Sequence, residues 1–293
     1  MTAAPDRWHR WLLDTRFGGD AAHREETLRG FLFPVRDTIL AKAQLKTTDT
    51  LLDVGTGDGL VGFGALDRLG PAGHVIFSDI SGDLLDHCRE AATAEGVLDR
   101  CTFTQAAADA LAGIADASVD VVTTRSVLIY VKDKAAALRE FHRVLRPGGR
   151  VSVFEPINVL MSGDPGWFGG YDIRPVAAAA AKVAALYEAI QPPGTDPMLD
   201  FDDRDLVRHA AAAGFPDVQL ELRVSVKATV PPMAWEVFLR MSGNPLIPPV
   251  SEAIDRALSP AEAAELTAHL RPLVEAGHGQ HRMALAYLTA VKD

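Results

Sequence analysis

The sequence predicts an α/β protein built on a doubly wound, mostly parallel sheet. Three observations carry that expectation. Short apolar runs alternate with helical patterns between residues 50 and 156, the signature of βαβ units. The first run stops at a glycine-rich turn that opens a helix. The chain on either side of this stretch reads as helices and two late strands, which suits a cover over one end of the sheet.

Taken in order, Pro5 to about Gln44 reads as helical, with breaks at Phe17-Gly18-Gly19-Asp20 and at Pro34. Glycine and proline interrupt the helical period there. Thr50–Val54 is the first strand, His74–Ser78 the second and Cys101–Gln105 the third. Val119–Thr123 is the fourth and Arg150–Phe154 the fifth. Asp83–Glu95 is a helix with Leu84, Leu85, Cys88 and Ala92 at helical spacing. Lys134–Leu145 is another, closed by Arg146-Pro147-Gly148-Gly149, where proline and glycine act as stop signals.

After Glu155 the pattern changes. Residues 157–200 are rich in Gly, Pro and Ala and carry Trp167, Phe168, Tyr171 and Tyr187. Asp203–Ala213 is helical, Val218–Val230 a long alternating strand, 231–280 helical with proline breaks, and His281–Val291 the last strand. The chain thus divides into an N-terminal helical cover (1–45), a core (46–156), a covering insertion with a helix and the sixth strand (157–230), and a helical insertion with the final strand (231–293). Right-handed crossovers put helices on both faces of such a sheet. Ligands then bind beyond the carboxyl ends of the strands, at the switch in strand order.

Composition narrows the function classes. The chain has 293 residues, 48% hydrophobic and 23% charged, enough to bury a large core without disulfides. Its two cysteines, Cys88 and Cys101, read as reduced interior thiols. The net charge of −10 is a poor match for a phosphate backbone, so no nucleic-acid partner is expected. The start has charges at Asp6, Arg7, Arg10 and Asp14 and no apolar run, unlike a signal peptide. No stretch reaches the ~18 apolar residues that span a bilayer. A cytoplasmic location without a membrane partner is expected. His278 and His281 lack partners at metal spacing, so no metal is expected.

The central signal is Asp53-Val54-Gly55-Thr56-Gly57-Asp58-Gly59. Glycines after a strand permit positive φ and close approach of backbone to ligand, and the following helix presents its positive end. A formal G-x-G-x-x-G at Gly57, Gly59 and Gly62 would by itself suggest a nicotinamide dinucleotide and a reductase. It starts late in the turn, however, and Asp53 suits a ligand with hydroxyls and a cation better than a pyrophosphate.

Asp53-x-Gly55-x-Gly57-x-Gly59 resembles motif I of the class I S-adenosylmethionine-dependent methyltransferases, small-molecule type with a ubiquinone/menaquinone-methyltransferase-like core. Further motifs follow in order: Asp79-Ile80, Ala108-Asp109-Ala110-Leu111, Val119 through Leu128, and Arg143 through Arg150. The resemblance covers roughly residues 46–156. It implies a Rossmann-like, seven-stranded sheet with the last strand antiparallel, and S-adenosylmethionine as cofactor, with S-adenosylhomocysteine as product. It also implies methyl transfer to O or N of a small molecule or short peptide by a monomer or homodimer. Thr124-Arg125-Ser126-Val127 stands where base-methylating enzymes carry Asn-Pro-Pro-Tyr. A cofactor-binding protein without turnover is the third reading.

By that resemblance Asp79 holds the ribose hydroxyls, Ile80 lies against the adenine, and Asp109, next to Ala108, bonds the adenine amino group. Asp53 either caps the loop amides or orients the glycine turn and the methionine amine. Arg125 and Ser126 end the fourth strand beside the cofactor, where Arg125 meets a cofactor or substrate carboxylate or forms a structural salt bridge. Arg16, Gly18 and Gly19 close over the methionine end or form a surface turn. Glu155 is the candidate general base or a substrate anchor, or bonds the loop before Pro156. Trp167, Phe168 and Tyr171 are candidate walls of the acceptor pocket and Asp172 a candidate amine ligand, with an independent small core as the alternative.

Overall fold

The computed structural model describes residues 4–161 and 166–293. Residues 1–3 of the expected N-terminal cover and 162–165 of the expected covering insertion lie outside it. In the core, β1 (Thr50–Val54), α4 (Leu60–Leu66), β2 (His74–Asp79), α5 (Gly82–Ala94) and β3 (Cys101–Gln105) are followed by β4 (Val119–Arg125), α6 (Lys134–Val144) and β5 (Leu145–Pro156). The N-terminal segment supplies α1 (Arg7–Leu13), α2 (Ala21–Thr27) and α3 (Phe33–Lys42). After the core come a short hairpin, β6 (Trp167–Phe168) and β7 (Tyr171–Asp172), then α7 (Ala177–Ile190), α8 (Asp203–Ala212) and β8 (Asp217–Lys227). The chain ends with α9 (Trp235–Arg240), α10 (Val250–Ala257), α11 (Pro260–Ala276) and β9 (His281–Val291).

The seven long strands form one sheet in the order β3-β2-β1-β4-β5-β9-β8. β1 pairs in parallel with both β2 and β4, so the order reverses at β1. β9 is antiparallel to β5 and to β8. Successive strand residues face opposite sides, and the apolar strands are buried on both. Leu51, Val75, Phe77 and Val121 pack against α3, α4 and α5. Leu52, Val122, Val151 and Leu288 pack against α6 and α8. The local signals for these helices are ordinary caps. Ser81 accepts from the Leu84 amide at the start of α5, Asp133 caps α6, and Asp202 with Asp205 forms a capping box on α8.

Three expectations are refined. Pro34 does not break the N-terminal helix. A five-residue π turn, Leu28–Leu32, widens the coil ahead of Pro34 in the first turn of α3, where its missing N–H costs little. The Arg146–Gly149 turn is not a clean stop either; β5 starts at Leu145, and the pairing with β4 slips between Val119 and Val121 to absorb it. Third, the segments around 166–190 and 235–276 share a separate apolar cluster: Tyr171, Ile173, Val183, Trp235, Phe238, Leu266 and Leu270 among others. Among the described residues no helix is long and apolar enough to cross a membrane.

Candidate functional site

A cavity of about 680 Å³ opens where the carboxyl ends of β1, β2 and β4 meet the N-terminal segment and the loop after α9. Its position follows from the topology, since the crevice at the strand-order reversal is where backbone amides and loop side chains converge. Gly55, Gly57, Asp79, Ile80, Leu84, 106–109, 125–127, Ile129, Val131 and Lys132 form its floor, and Trp8, Trp11, Leu12, Arg16, Tyr130, Met198 and 241–243 its roof.

The glycine turn is tightly specified. Gly55, Gly57 and Gly59 all have positive φ, near 60°, 60° and 80°. A Cβ on Gly55 would sit 2.4 Å from a Val127 methyl, and one on Gly59 2.5 Å from the Phe63 ring. Beneath the turn, Asp53 is fully engaged by the protein. One carboxylate oxygen accepts from the Thr56 hydroxyl (2.7 Å) and the Gly62 amide (3.1 Å), the other from the Thr123 hydroxyl (2.9 Å). Burial pushes its pKa up to about 6 against those hydrogen bonds. Asp53 does not line the cavity; it holds the turn from below, and no free path to a methionine amine is open to it.

Asp79 does face the cavity. It accepts from the Gly57 amide (2.9 Å) through one oxygen and from the Ser81 amide (2.9 Å) through the other. Each oxygen keeps a lone pair for a ligand. Burial raises its pKa, countered by those amides. Ile80 beside it is 48% exposed, an unusual state for a large apolar side chain at a strand end. Its carbonyl accepts from the Gln105 amide, which fixes the loop (2.9 Å). Ala108 and Asp109 line the cavity beyond β3, and Arg125 and Ser126 beyond β4. Ser126 adopts φ near 56°, a left-handed conformation rare for a non-glycine residue, pinned by its amide bonding the Phe154 carbonyl (2.8 Å).

Glu155 is a correction. It is fully buried and outside the cavity, and its carboxylate accepts three backbone amides: Val127 (2.9 Å), Leu128 (2.8 Å) and Ile129 (3.2 Å). Burial pushes its pKa up to about 7, countered by these amides and by Lys134. It organises the loop that carries Ser126 to Tyr130 and reaches no acceptor. The covering aromatics are a second correction. Phe168 stacks on Tyr187 and meets Phe238, Tyr171 packs edge-on against Phe238, and Arg282 lies over Trp167. Asp172 pairs with Arg174. None of the four lines the cavity; Tyr171 and Phe168 belong to the core of the cover, with Trp167 and Asp172 beside them on the same hairpin. Gly18 belongs with the cover too, since a Cβ there would meet the Val237 carbonyl at 2.4 Å.

The walls that the sequence reading missed are Trp8 and Trp11 on α1, with Tyr130, Met198 and Met241. Trp8 meets Tyr130 edge-on at 4.9 Å, and the Trp11 indole donates to the Ser242 carbonyl (3.0 Å). A signal existed for the tryptophans: Trp8, Trp11 and Leu12 fall at helical i, i+3, i+4 spacing on a segment too short to bury them alone. Nothing local marks Met198 or Met241. Arg16 lies over the rings of Trp11 and Phe17, at 5.3 and 5.2 Å. Burial, with Arg125 nearby, lowers its pKa to about 10. Among the described residues no group of three His, Cys, Asp or Glu is placed to hold a metal ion.

Residues 52–153 match the methyltransferase domain family, over the β1 to β5 stretch described above. Over that stretch the chain carries a methyltransferase domain, in line with its resemblance to the class I S-adenosylmethionine-dependent enzymes. Similar curated proteins include the ubiquinone/menaquinone biosynthesis C-methyltransferase of Xylella fastidiosa, 37% identical over 116 residues, which is 40% of this chain and 46% of that protein. The chain spans about half the length of the curated relatives it matches. In fold it is similar to the YcgJ protein of Bacillus subtilis, with a TM-score of 0.54, 16% identity, and coverage of 89% of this chain and 98% of that one. It is also similar to phosphoethanolamine N-methyltransferase 2 of Haemonchus contortus, determined with S-adenosyl-L-methionine, with a TM-score of 0.52, 18% identity, and coverage of 97% and 56%.

Proposed function

We propose that this class I methyltransferase-family chain is an S-adenosylmethionine-dependent methyltransferase acting on a small organic acceptor. The observation that carries the reading is Asp79, anchored by the Gly57 and Ser81 amides, with free lone pairs facing the cavity beside an exposed Ile80. That set fits an adenosyl group. A carboxylate with open lone pairs suits the two ribose hydroxyls, and Ile80 with Leu84 offers an apolar face to a base. Asp109 and Ala108 stand where a base edge would end, and the left-handed glycines let the backbone approach the chain that follows the ribose. Arg16 supplies a cation for an α-carboxylate.

Bound there, S-adenosylmethionine supplies an electrophilic methyl group on a sulfonium. The protein's own contribution is alignment and exclusion of water. Trp8, Trp11, Tyr130, Met198 and Met241 close a largely apolar chamber over the floor, and holding two reactants in line is itself worth several powers of ten in rate. No histidine lines the cavity among the described residues, and its carboxylates, Asp79 and Asp109, stand on the β2 and β3 side. The acceptor atom is therefore one that attacks without a strong protein base. The expectation of O or N as that atom widens to carbon, which the C-methyltransferase activity of the Xylella relative favours. A crystal grown with S-adenosylhomocysteine is expected to show its ribose on Asp79. A cavity that takes up NADH instead, seen as a fluorescence change, would replace this reading with a reductase.

A further inference from the structure

The cavity divides by charge along the sheet. Its carboxylates, Asp79 and Asp109, follow β2 and β3, on one side of the glycine turn. Arg125 and Lys132 follow β4, on the other side. Neighbouring strands lie ~4.8 Å apart, so β2 and β4, which flank β1, end ~10 Å from each other. An adenosyl group on Asp79 therefore brings its sulfur toward the β4 side. Arg125 makes no hydrogen bond or ion pair among the described residues, nor does Arg16, although both line the same cavity. Each lies within the other's field.

A methionine chain brings one carboxylate, one ammonium and one sulfonium. Its single carboxylate can satisfy one arginine, and Arg16, on the roof, is the one that the floor does not share. The sulfonium then adds a positive charge on the side where Arg125 stands. Asp58 lies within the field of Arg16 and Asp53 within that of Arg125, but Asp53 is taken up by Thr56, Gly62 and Thr123, so an anion bound beside Arg125 would offset the charge there. We infer that the acceptor is an anion, an apolar and preferably aromatic body bearing a carboxylate, which Arg125 anchors with Lys132 at the rim. Pro156, Leu285 and Phe154 complete an apolar wall on the same side, from β5 and β9. The guanidinium geometry suits a carboxylate held by two parallel hydrogen bonds. This assignment rests on the proposed cofactor reading, and it moves Arg125 from the cofactor's residues to the acceptor's.

Calorimetric titration of the full chain with S-adenosylmethionine and with S-adenosylhomocysteine separates the two proposals. Arg125→Gln is expected to leave S-adenosylhomocysteine affinity within about twofold. It should raise the affinity for the cationic methionine form relative to it by about threefold or more, by removing a nearby like charge. Arg125→Lys should keep the wild-type ratio, while Arg16→Gln should weaken both ligands together. With S-adenosylhomocysteine bound, a panel of aromatic carboxylates, each paired with its amide, should include acids that bind in preference to their amides. That preference should fall at least tenfold in Arg125→Gln. If Arg125→Gln weakens both cofactor forms in parallel, or no acid in the panel outbinds its amide, the anionic-acceptor inference is wrong and the cofactor reading stands. If wild-type protein binds neither cofactor form, the cofactor reading itself fails.

Discussion

The floor and the roof of the cavity are built in opposite ways. Most floor residues sit at the carboxyl end of a strand or within a few residues of it: Gly55 and Gly57 after β1, Asp79 and Ile80 at β2, Arg125 and Ser126 at β4. Their relative placement is fixed by sheet geometry, so spacing along the chain translates into position in space. The roof draws on Trp8, Trp11 and Arg16, then on Met198, then on Met241 to Gly243, pieces far apart in the chain and joined by single contacts such as the Trp11 bond to Ser242, 231 residues away. The floor can hold a shared cofactor because its frame is common to the fold; the roof can differ from chain to chain because no sheet fixes its pieces, a helix and separate loops, relative to one another.

The sharpest way to break the floor is Gly55→Ala. The added Cβ meets Val127 at 2.4 Å in a left-handed turn. Overpacking and positive φ together should cost about 2–4 kcal/mol of stability, read as a lower midpoint in urea, with cofactor binding lost. Asp79→Ala comes next. It removes the ligand-facing carboxylate and two amide partners, and S-adenosylhomocysteine affinity should fall by about 1–3 kcal/mol. A folded Asp79→Ala protein with wild-type affinity would show that the ribose sits elsewhere.

Glu155→Gln tests the loop beneath the roof. The amide nitrogen cannot accept from a backbone N–H, so one of three hydrogen bonds is lost, at about 1–2 kcal/mol, with cofactor affinity unchanged. The variant also has a pH signature. Glu155 and Asp53 have folded pKa values raised to about 7 and about 6, above the ~4 of an unfolded carboxylate. Their contribution to stability is therefore full below pH ~4 and is lost as pH rises through the folded values. Unfolding free energies measured from pH 5 to 8 should show a shallower fall in Glu155→Gln than in wild type; parallel curves would mean that Glu155 ionises freely. The smallest effect belongs to the cover. Trp167→Phe should leave cofactor affinity and turnover unaltered, because Trp167 packs under Arg282 and outside the cavity. A raised acceptor KM in that variant would restore Trp167 to the acceptor wall.

What the sequence made legible follows the same division. The strands of the core could be read because their apolar runs are short and punctuated by glycine, proline and caps. Asp79 could be placed because it ends such a run. Asp53 and Glu155 have the right residue type at the right strand ends, yet they turn inward, Asp53 to two hydroxyls and an amide and Glu155 to three amides; a carboxylate's direction at a strand end is not encoded in its position. The aromatic residues 167–171 were ambiguous, since an aromatic run reads the same whether it walls a pocket or fills a small core. Pro34 shows the converse, a local breaker overridden by a π turn and by tertiary packing of Val35 and Ile39.

The central claim is most directly tested by titrating S-adenosylhomocysteine into the purified protein in a calorimeter, alongside Asp79→Ala. A saturable one-to-one isotherm in the wild type that weakens about tenfold or more in the folded variant is the predicted result. A flat trace with wild-type protein, or equal isotherms for the two proteins, would contradict it.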